Sequence, residues 1–531
     1  MSDLRMQTCA FLIPTLLLAG LGGCADVGEA ATGGRGAAED ETALLGSNCA
    51  PGADAAGQPA NAAASSVMVH LVPRAGVSGQ QRVNFAVPLP RGMLTSIANV
   101  RVRRGGADVA AGRRALAMYP GGSIRSVQIQ FDIQISGPVD VEVRIGEAAV
   151  AGSVPLVPVA NTLVSSGGAQ IPRVWASLPA QWLSASGVFG PQVTEASVAG
   201  TPLAAWSDLC DYGAYDNDAF LGEMGDGAVW LYDRGTVMYR GYARGGAGDP
   251  LYTAYRETSI YRSGITGSGS STDIGVPGKA GDLKYFYVQN MALHYLLSGD
   301  DRFRESAEQI AGKVGDLWDP WYINDGHHWT ERNAGFMLLA YVWAAIVSDN
   351  RAAEFAALAD DTVDAVLDRQ AENPPGGGYS NQNARCFSHS ADAHGEDYGY
   401  WGCSPWMSAI LADGLDAYAS ERSGARQTAA RQSIVKLGRI IAAQGRDGEG
   451  RPYYWMGVGN NNDEVDDYEE HWSEAAYVVA MAWYHGGKKE PSLKQAADQL
   501  VVGFRDRGEA PHLRSFNWQC RSAVATPFYL K

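Results

Sequence analysis

The stretch that decides the fold is Glu331-Arg332-Asn333-Ala334-Gly335-Phe336-Met337-Leu338-Leu339-Ala340-Tyr341-Val342-Trp343-Ala344-Ala345-Ile346-Val347. Phe336, Leu339, Ala340, Trp343 and Val347 recur at helical spacing, so one face of a helix is apolar. The same grammar, polar or aromatic residues opening an apolar run, returns at Tyr285, Trp401 and Trp472. A second helix follows each, as from Asp301 to Val314. The starts lie 46, 70 and 71 residues apart, which predicts a series of helical hairpins from about residue 200 onward rather than a fixed repeat. Such an array is either an open solenoid or a closed toroid.

Upstream the period changes. Arg82-Val83-Asn84-Phe85-Ala86-Val87, Val127-Gln128-Ile129-Gln130-Phe131-Asp132-Ile133 and Val139-Asp140-Val141-Glu142-Val143-Arg144-Ile145 alternate with period two. Half-buried strands separated by Gly/Pro/Asn turns predict a β-sandwich over residues 66–160. A connector over 161–200 and the helical domain over 201–531 complete the folded part. Residues 66–150 carry a local charge of +5, and the chain beyond them −16.

The chain has 531 residues, a net charge of −16 and 46% hydrophobic residues. The acidic balance and the absence of a dense basic run exclude a general nucleic-acid binder. The one long apolar run, Cys9 to Leu21 behind Arg5, reads as a targeting segment expected to be cleaved. Residues 25–65 hold almost no large apolar side chains and read as a disordered tether with a reach of roughly 35 Å. The sequence Leu21-Gly22-Gly23-Cys24 resembles a bacterial lipobox. That resemblance implies a lipid on Cys24, a membrane partner through that anchor and, with Ala25 next, an exported lipoprotein of the outer membrane. In an oxidising compartment the remaining cysteines suggest the pairs Cys386–Cys403 and Cys210–Cys520, leaving Cys49.

Val87-Pro88-Leu89-Pro90-Arg91-Gly92-Met93-Leu94 and Tyr119-Pro120-Gly121-Gly122-Ser123-Ile124-Arg125-Ser126 resemble the N-terminal sandwich of the YetA-like exo-rhamnogalacturonan lyases. Tyr119, Gly121 and Ser126 stand where that family usually has Trp, Asp and Trp. The resemblance covers about 90 residues and implies a carbohydrate-active protein with a sandwich followed by an (α/α) toroid of helical hairpins. It favours closure of the array.

Three stretches rich in Gly, Asn or Ser interrupt the helices: Ser263–Gly281, Asn373–Tyr400 and Asp447–Asp467. Loops of that length inside compact domains are usually functional or disordered. Five of the nine histidines fall in three groups at or near them: Asp325 to Asn333, Asn381 to Tyr400, and Asn460 to Trp472. Cleavage of a uronate-containing polysaccharide by β-elimination needs a neutralised carboxylate, a base and a proton donor. His328 or His394 is the expected base and Tyr398 the donor. Arg332, Asn383 and Arg385 are assigned to the carboxylate, and His471 is a further catalytic candidate. Trp321, Trp329, Trp401 and Trp455, at loop edges, are the expected sugar platforms.

A glycoside hydrolase is the alternative, with Asp325, Glu396, Asp397, Glu469 and Glu470 as candidate carboxylates; a non-catalytic glycan-binding lipoprotein is another. No cofactor is called for. The oxygen-rich run Asn460–Glu470 would suit Ca2+ but lacks EF-hand spacing, and no zinc, Walker-A or serine-elbow motif occurs. The sequence leaves the oligomeric state open.

Overall fold

The computed structural model describes residues 65–531 except 205–207, 247, 268–273, 322–329, 376, 392–397, 460–461 and 466–470. The targeting segment, Cys24 and nearly all of the tether lie outside the described residues.

The first layer is a β-sandwich. One sheet has the order β10-β1-β7-β3-β4, formed by β1 (Ser65–Pro73), β3 (Val100–Arg104), β4 (Ala107–Asp108), β7 (Val139–Ile145) and β10 (Val174–Ser177). The other has the order β2-β6-β5, from β2 (Gly79–Pro88), β5 (Gly112–Met118) and β6 (Ile124–Ile135). All pairings are antiparallel, and β8 (Leu163–Ser166) and β9 (Ala169–Pro172) form a separate hairpin. The segment read as a connector therefore supplies an edge strand, because Val174–Ser177 pairs with β1.

The helices follow: α1 (Ala180–Ser186), α2 (Glu195–Val198), α3 (Asn217–Glu223), α4 (Arg234–Gly245), α5 (Gly248–Ser263), α6 (Gln289–Ser298), α7 (Asp301–Leu317), α8 (Glu331–Val347) and α9 (Ala352–Ala371). Next come α10 (Pro405–Ser420), α11 (Gly424–Gln444), α12 (Trp472–His485), α13 (Pro491–Arg507), α14 (Leu513–Ala523) and α15 (Thr526–Leu530). Helices α4, α6, α8, α10, α12 and α14 each touch the next, and α14 returns to α4. The array is closed: an (α/α) toroid, with α5, α7, α9, α11 and α13 outside. The disulfide Cys210–Cys520 ties α14 to the segment before the ring, and Cys386–Cys403 staples the loop ahead of α10.

Inner position explains why α8 departs from its expected single apolar face. Residues from Ala334 through Ala344 are buried all round, as a helix enclosed by neighbours must be. Thr330 caps α8, accepting from Asn333 N–H, and Ser404 caps α10, accepting from Met407 N–H ahead of a Pro at the first turn. Helix α10 thus begins at Pro405, not Trp401, and α6 at Gln289, not Tyr285. Trp401–Cys403 is instead strand β12 in a four-stranded sheet with β11 (His389–Ser390), β13 (Tyr453–Gly457) and β14 (Asp463–Val465). The expected start of one helix thus pairs with a stretch read as an unstructured loop, across about 50 residues of chain, a non-local ladder that local pattern does not reveal.

Sandwich and toroid belong to one compact unit. Strand β6 alternates in sequence, yet its first eight residues are all buried, because α6 covers the polar face. Ser126 Oγ donates to Leu296 O at 2.6 Å and Asn84 Nδ2 to Ser298 O at 2.8 Å, while Gln128 and Gln130 donate to Asn84 Oδ1. These bonds satisfy groups that would otherwise be costly to bury. The Tyr119–Ser126 motif belongs to the same junction. Gly121 and Gly122 take positive φ in its turn, Ser123 Oγ accepts from Gly92 N–H at 2.9 Å, and Arg125 stacks 3.9 Å above the Tyr119 ring. Arg125 Nη2 then reaches Glu421, just past α10, at 2.6 Å.

Candidate functional site

At one end of the toroid the starts of α4, α8, α10 and α12 bring aromatic and cationic side chains together with Trp518 of α14. Arg332, in the first turn of α8, donates from Nη1 to the Tyr232 hydroxyl at 3.2 Å, and its guanidinium lies 5.5 Å from the Trp406 ring. Trp406 and His471 stack at 4.6 Å with 6° between planes. Trp518 meets Tyr232 edge-on at 5.1 Å and His471 at 4.9 Å, and Tyr454 of β13 closes the group at 5.8 Å from Trp406. Helix N-termini add partial positive charge at this end.

Tyr232 and Asp233 are consecutive non-glycine residues in the left-handed region, with φ of 70° and 60°. That conformation is unfavourable for both, and such strain gathers at functional sites. Here it turns the chain into α4, where the Asp233 side chain accepts from Thr236 N–H while the Tyr232 hydroxyl reaches Arg332. Burial raises the Tyr232 phenol above its ordinary pKa, and the Arg332 charge opposes that rise.

Below the aromatic group an enclosed pocket is lined by Tyr232, Trp406, Trp518, Asp413, Glu474 and Arg521, among others. Arg240 Nη2 donates to both Asp413 oxygens at 2.9 and 3.1 Å, Arg521 Nη2 to Oδ2 at 2.8 Å, and the Tyr477 hydroxyl to Oδ1 at 3.1 Å. Burial alone would raise the Asp413 carboxyl, but the two guanidiniums more than offset it and hold it below the usual carboxylate range. Glu474 accepts from Ser473 Oγ on one oxygen; the other has no hydrogen-bond partner and lies 3.6 Å from His471 Nδ1.

A second group flanks the first. Glu331, fully buried, accepts from His389 Nε2 at 2.6 Å and from Ser404 N–H at 2.9 Å, and His389 Nδ1 faces Ser390 O at 2.9 Å. Tyr398 stacks on Tyr400 at 6.1 Å, and the Tyr400 hydroxyl donates to Glu464 at 3.0 Å. Burial, with Glu464 adding to it, raises the Tyr400 phenol.

Of the residues expected from sequence, Arg332 and His471 meet through Trp406, and Tyr398 lies in the flanking group. His328, His394 and Trp329 lie outside the described residues, as do Asp325, Glu396, Asp397, Glu469 and Glu470. Most of the Asn460–Glu470 run does too. Among the described residues there is no cluster of three or more His, Cys, Asp or Glu placed to hold a metal.

Several assignments change. Trp455 is fully buried, edge-on to His389 at 4.8 Å, so it packs the loop sheet and offers no face to a sugar. Arg385 donates to Ala371 O, Glu372 O and Asn373 Oδ1 and also pairs with Gln382, so its guanidinium anchors the loop to the end of α9 in place of a substrate carboxylate. Asn383 is exposed, and its carbonyl accepts from Arg439. Trp321 is 41% exposed and donates to Asp361 on outer helix α9; Trp401 is half-buried on β12.

Tyr232, Trp406, Trp518, Asp413, Glu474 and Arg521 were not foreseen. A signal existed for Asp413 and Arg521: each is a charge between small residues inside a helical pattern, Ala412 and Gly414 or Cys520 and Ser522, and a buried charge requires a partner.

The fold and site define a sandwich-and-toroid protein with an aromatic, guanidinium-bearing cluster at the inner-helix starts. Among solved structures the chain is similar to a polysaccharide lyase, at 9% identity and a TM-score of 0.44, over 60% of this chain and 96% of that one. It is also similar to a glycosyl hydrolase family 88 protein from Bacteroides vulgatus, at 10% identity and a TM-score of 0.42, over 61% and 99%. No protein-family model and no curated protein sequence matches.

Proposed function

We propose that this protein is a carbohydrate-active enzyme that cleaves a uronate-containing polysaccharide by β-elimination. The observation that carries the reading is the Arg332–Tyr232 pair at 3.2 Å on the Trp406–His471–Trp518 wall. A guanidinium beside the sugar carboxylate stabilises the charge that develops when the adjacent carbon loses its proton. Tyr232 and His471 are the groups at hand to move that proton and return one to the departing oxygen. The half-buried Trp518 and Tyr454 offer ring faces to a sugar. The resemblance of residues 87–94 and 119–126 to the YetA-like lyases points to the same class, and Leu21–Cys24 to a lipid-anchored, exported protein acting on polymer at the outer membrane.

Glycoside hydrolysis is the second reading, favoured by the Glu474 oxygen without a hydrogen-bond partner beside Asp413 in one pocket. Asp413 weighs against it, because it is buried and both its oxygens already accept from Arg240, Arg521 and Tyr477.

The test is the ultraviolet absorbance of the conjugated unsaturated uronate formed on a panel of uronate polysaccharides. Arg332→Ala and Tyr232→Phe are each expected to lower turnover by about 10²- to 10³-fold. New reducing ends without that absorbance would refute elimination and move the chemistry to the carboxylates.

A further inference from the structure

A groove of about 1090 Å³ runs along the outside of the toroid between α11, α12, α13 and the turn at Asp447–Gly450. Its volume lies just above the roughly 300–1,000 Å³ that ligand clefts occupy. Trp472 and Trp483 of α12 both line it. Eleven residues make about three helical turns, so the two share one side of α12 at roughly 16 Å along the axis. Trp472 is buried against Gly503, where a Cβ would meet its ring at 2.0 Å, and lies under the Arg507 guanidinium. Trp483 is half-buried.

Three of the four carboxylates that line this groove are already paired. Asp447 pairs with Arg451 at 2.7 Å, Asp498 with Lys494 at 2.6 Å and Asp506 with Arg505 at 2.6 Å; Glu449 is exposed on the turn. Arg446 has no carboxylate partner among the described residues. Its Nη1 donates to Gln499 Oε1 at 2.8 Å, its Nη2 to Ala442 O at 3.1 Å, and its Nε is buried without a hydrogen bond. Burial disfavours its charge with nothing to oppose it. A half-buried guanidinium without a counter-charge, at the wall of a groove with an aromatic ring, is a receptor for an anion carried on an apolar-faced ligand.

We infer that this groove is a second, non-catalytic binding site for an acidic polysaccharide segment, with a uronate carboxylate at Arg446 and a sugar face on Trp483. The ligand class rests on the polysaccharide reading above, whereas the groove itself is independent of the elimination chemistry. Trp472 borders the groove and the preceding His471 belongs to the aromatic cluster, so both places share the first turn of α12. Polymer held on the flank is thereby kept at high effective concentration near the cluster.

The experiment uses the full chain with polygalacturonate as probe and dextran as the neutral control, read by affinity electrophoresis and titration calorimetry. Arg446→Gln and Trp483→Ala are each expected to weaken polygalacturonate binding about tenfold, with melting temperature unchanged. On a polymeric substrate they raise KM without lowering kcat, and on a trisaccharide they change neither. Equal retention of dextran, wild-type affinity in both folded variants, or no retention by the wild-type chain overturns the inference. Binding lost in Arg446→Gln without any unsaturated product would leave the groove standing and remove the elimination reading. Product formed with binding unaffected by either variant would do the reverse.

Discussion

Replacing Asp413 by Asn tests whether the toroid is held at its centre by one carboxylate. The side chain keeps its shape but loses its charge, and its amide N–H groups then oppose donors from Arg240, Arg521 or Tyr477 where an oxygen accepted them at 2.8–3.1 Å. Arg521 retains Asp233 at 3.7 Å, while Arg240 keeps only the Arg521 carbonyl at 2.8 Å. Removing one partner of a buried ion pair costs about 3–5 kcal/mol. For a body of about 470 residues the unfolding entropy is about 1 kcal/mol per degree, so the melting temperature should fall by about 3–5 °C. Because the folded-state pKa of Asp413 is depressed, its contribution is complete above the unfolded value of about 3.9 and is lost as pH falls through the folded value. The gap between wild type and variant in scanning calorimetry should therefore be constant from neutral pH down to about pH 5 and close below about pH 4. A variant within 1 °C of wild type at neutral pH, or a gap that widens in acid, would refute the argument.

Arg125→Ala leaves Glu421 with only Arg91, at 3.6 Å and exposed, and should destabilise the sandwich–toroid junction by roughly 2–4 kcal/mol. Faster proteolysis between the two layers would register it. The Cys386→Ser/Cys403→Ser pair opens a 17-residue loop and should cost about 3 kcal/mol, read as a lower melting temperature under non-reducing conditions, where Cys210–Cys520 stays closed. Glu331→Ala removes the acceptor shared by His389 and Ser404 N–H and should cost about 3 kcal/mol. Since Arg332 is the next residue, turnover measured well below the melting temperature should fall as well; unchanged turnover would separate that clamp from the site.

The sequence determined the two periodicities, and with them the order of parts. Period two in the stretches between residues 82 and 145 set one apolar face on each strand, although α6 then covered the polar face of β6 as well, and apolar helical runs from residue 285 onward could only be enclosed by other helices. It also placed Arg332 and His471 at helix starts, since a polar residue before an apolar run is legible locally. Closure was different: α14 meets α4 across some 280 residues, and no local pattern encodes that contact. The same holds for β12 pairing with β13, which buried Trp455 and redirected Arg385 to the end of α9. Tyr232 became part of the site only because two left-handed residues and the returning Trp518 meet there. Local sequence sets which face of an element is apolar; which charges and rings share a pocket depends on contacts distant in the chain, and only the tertiary structure decides those.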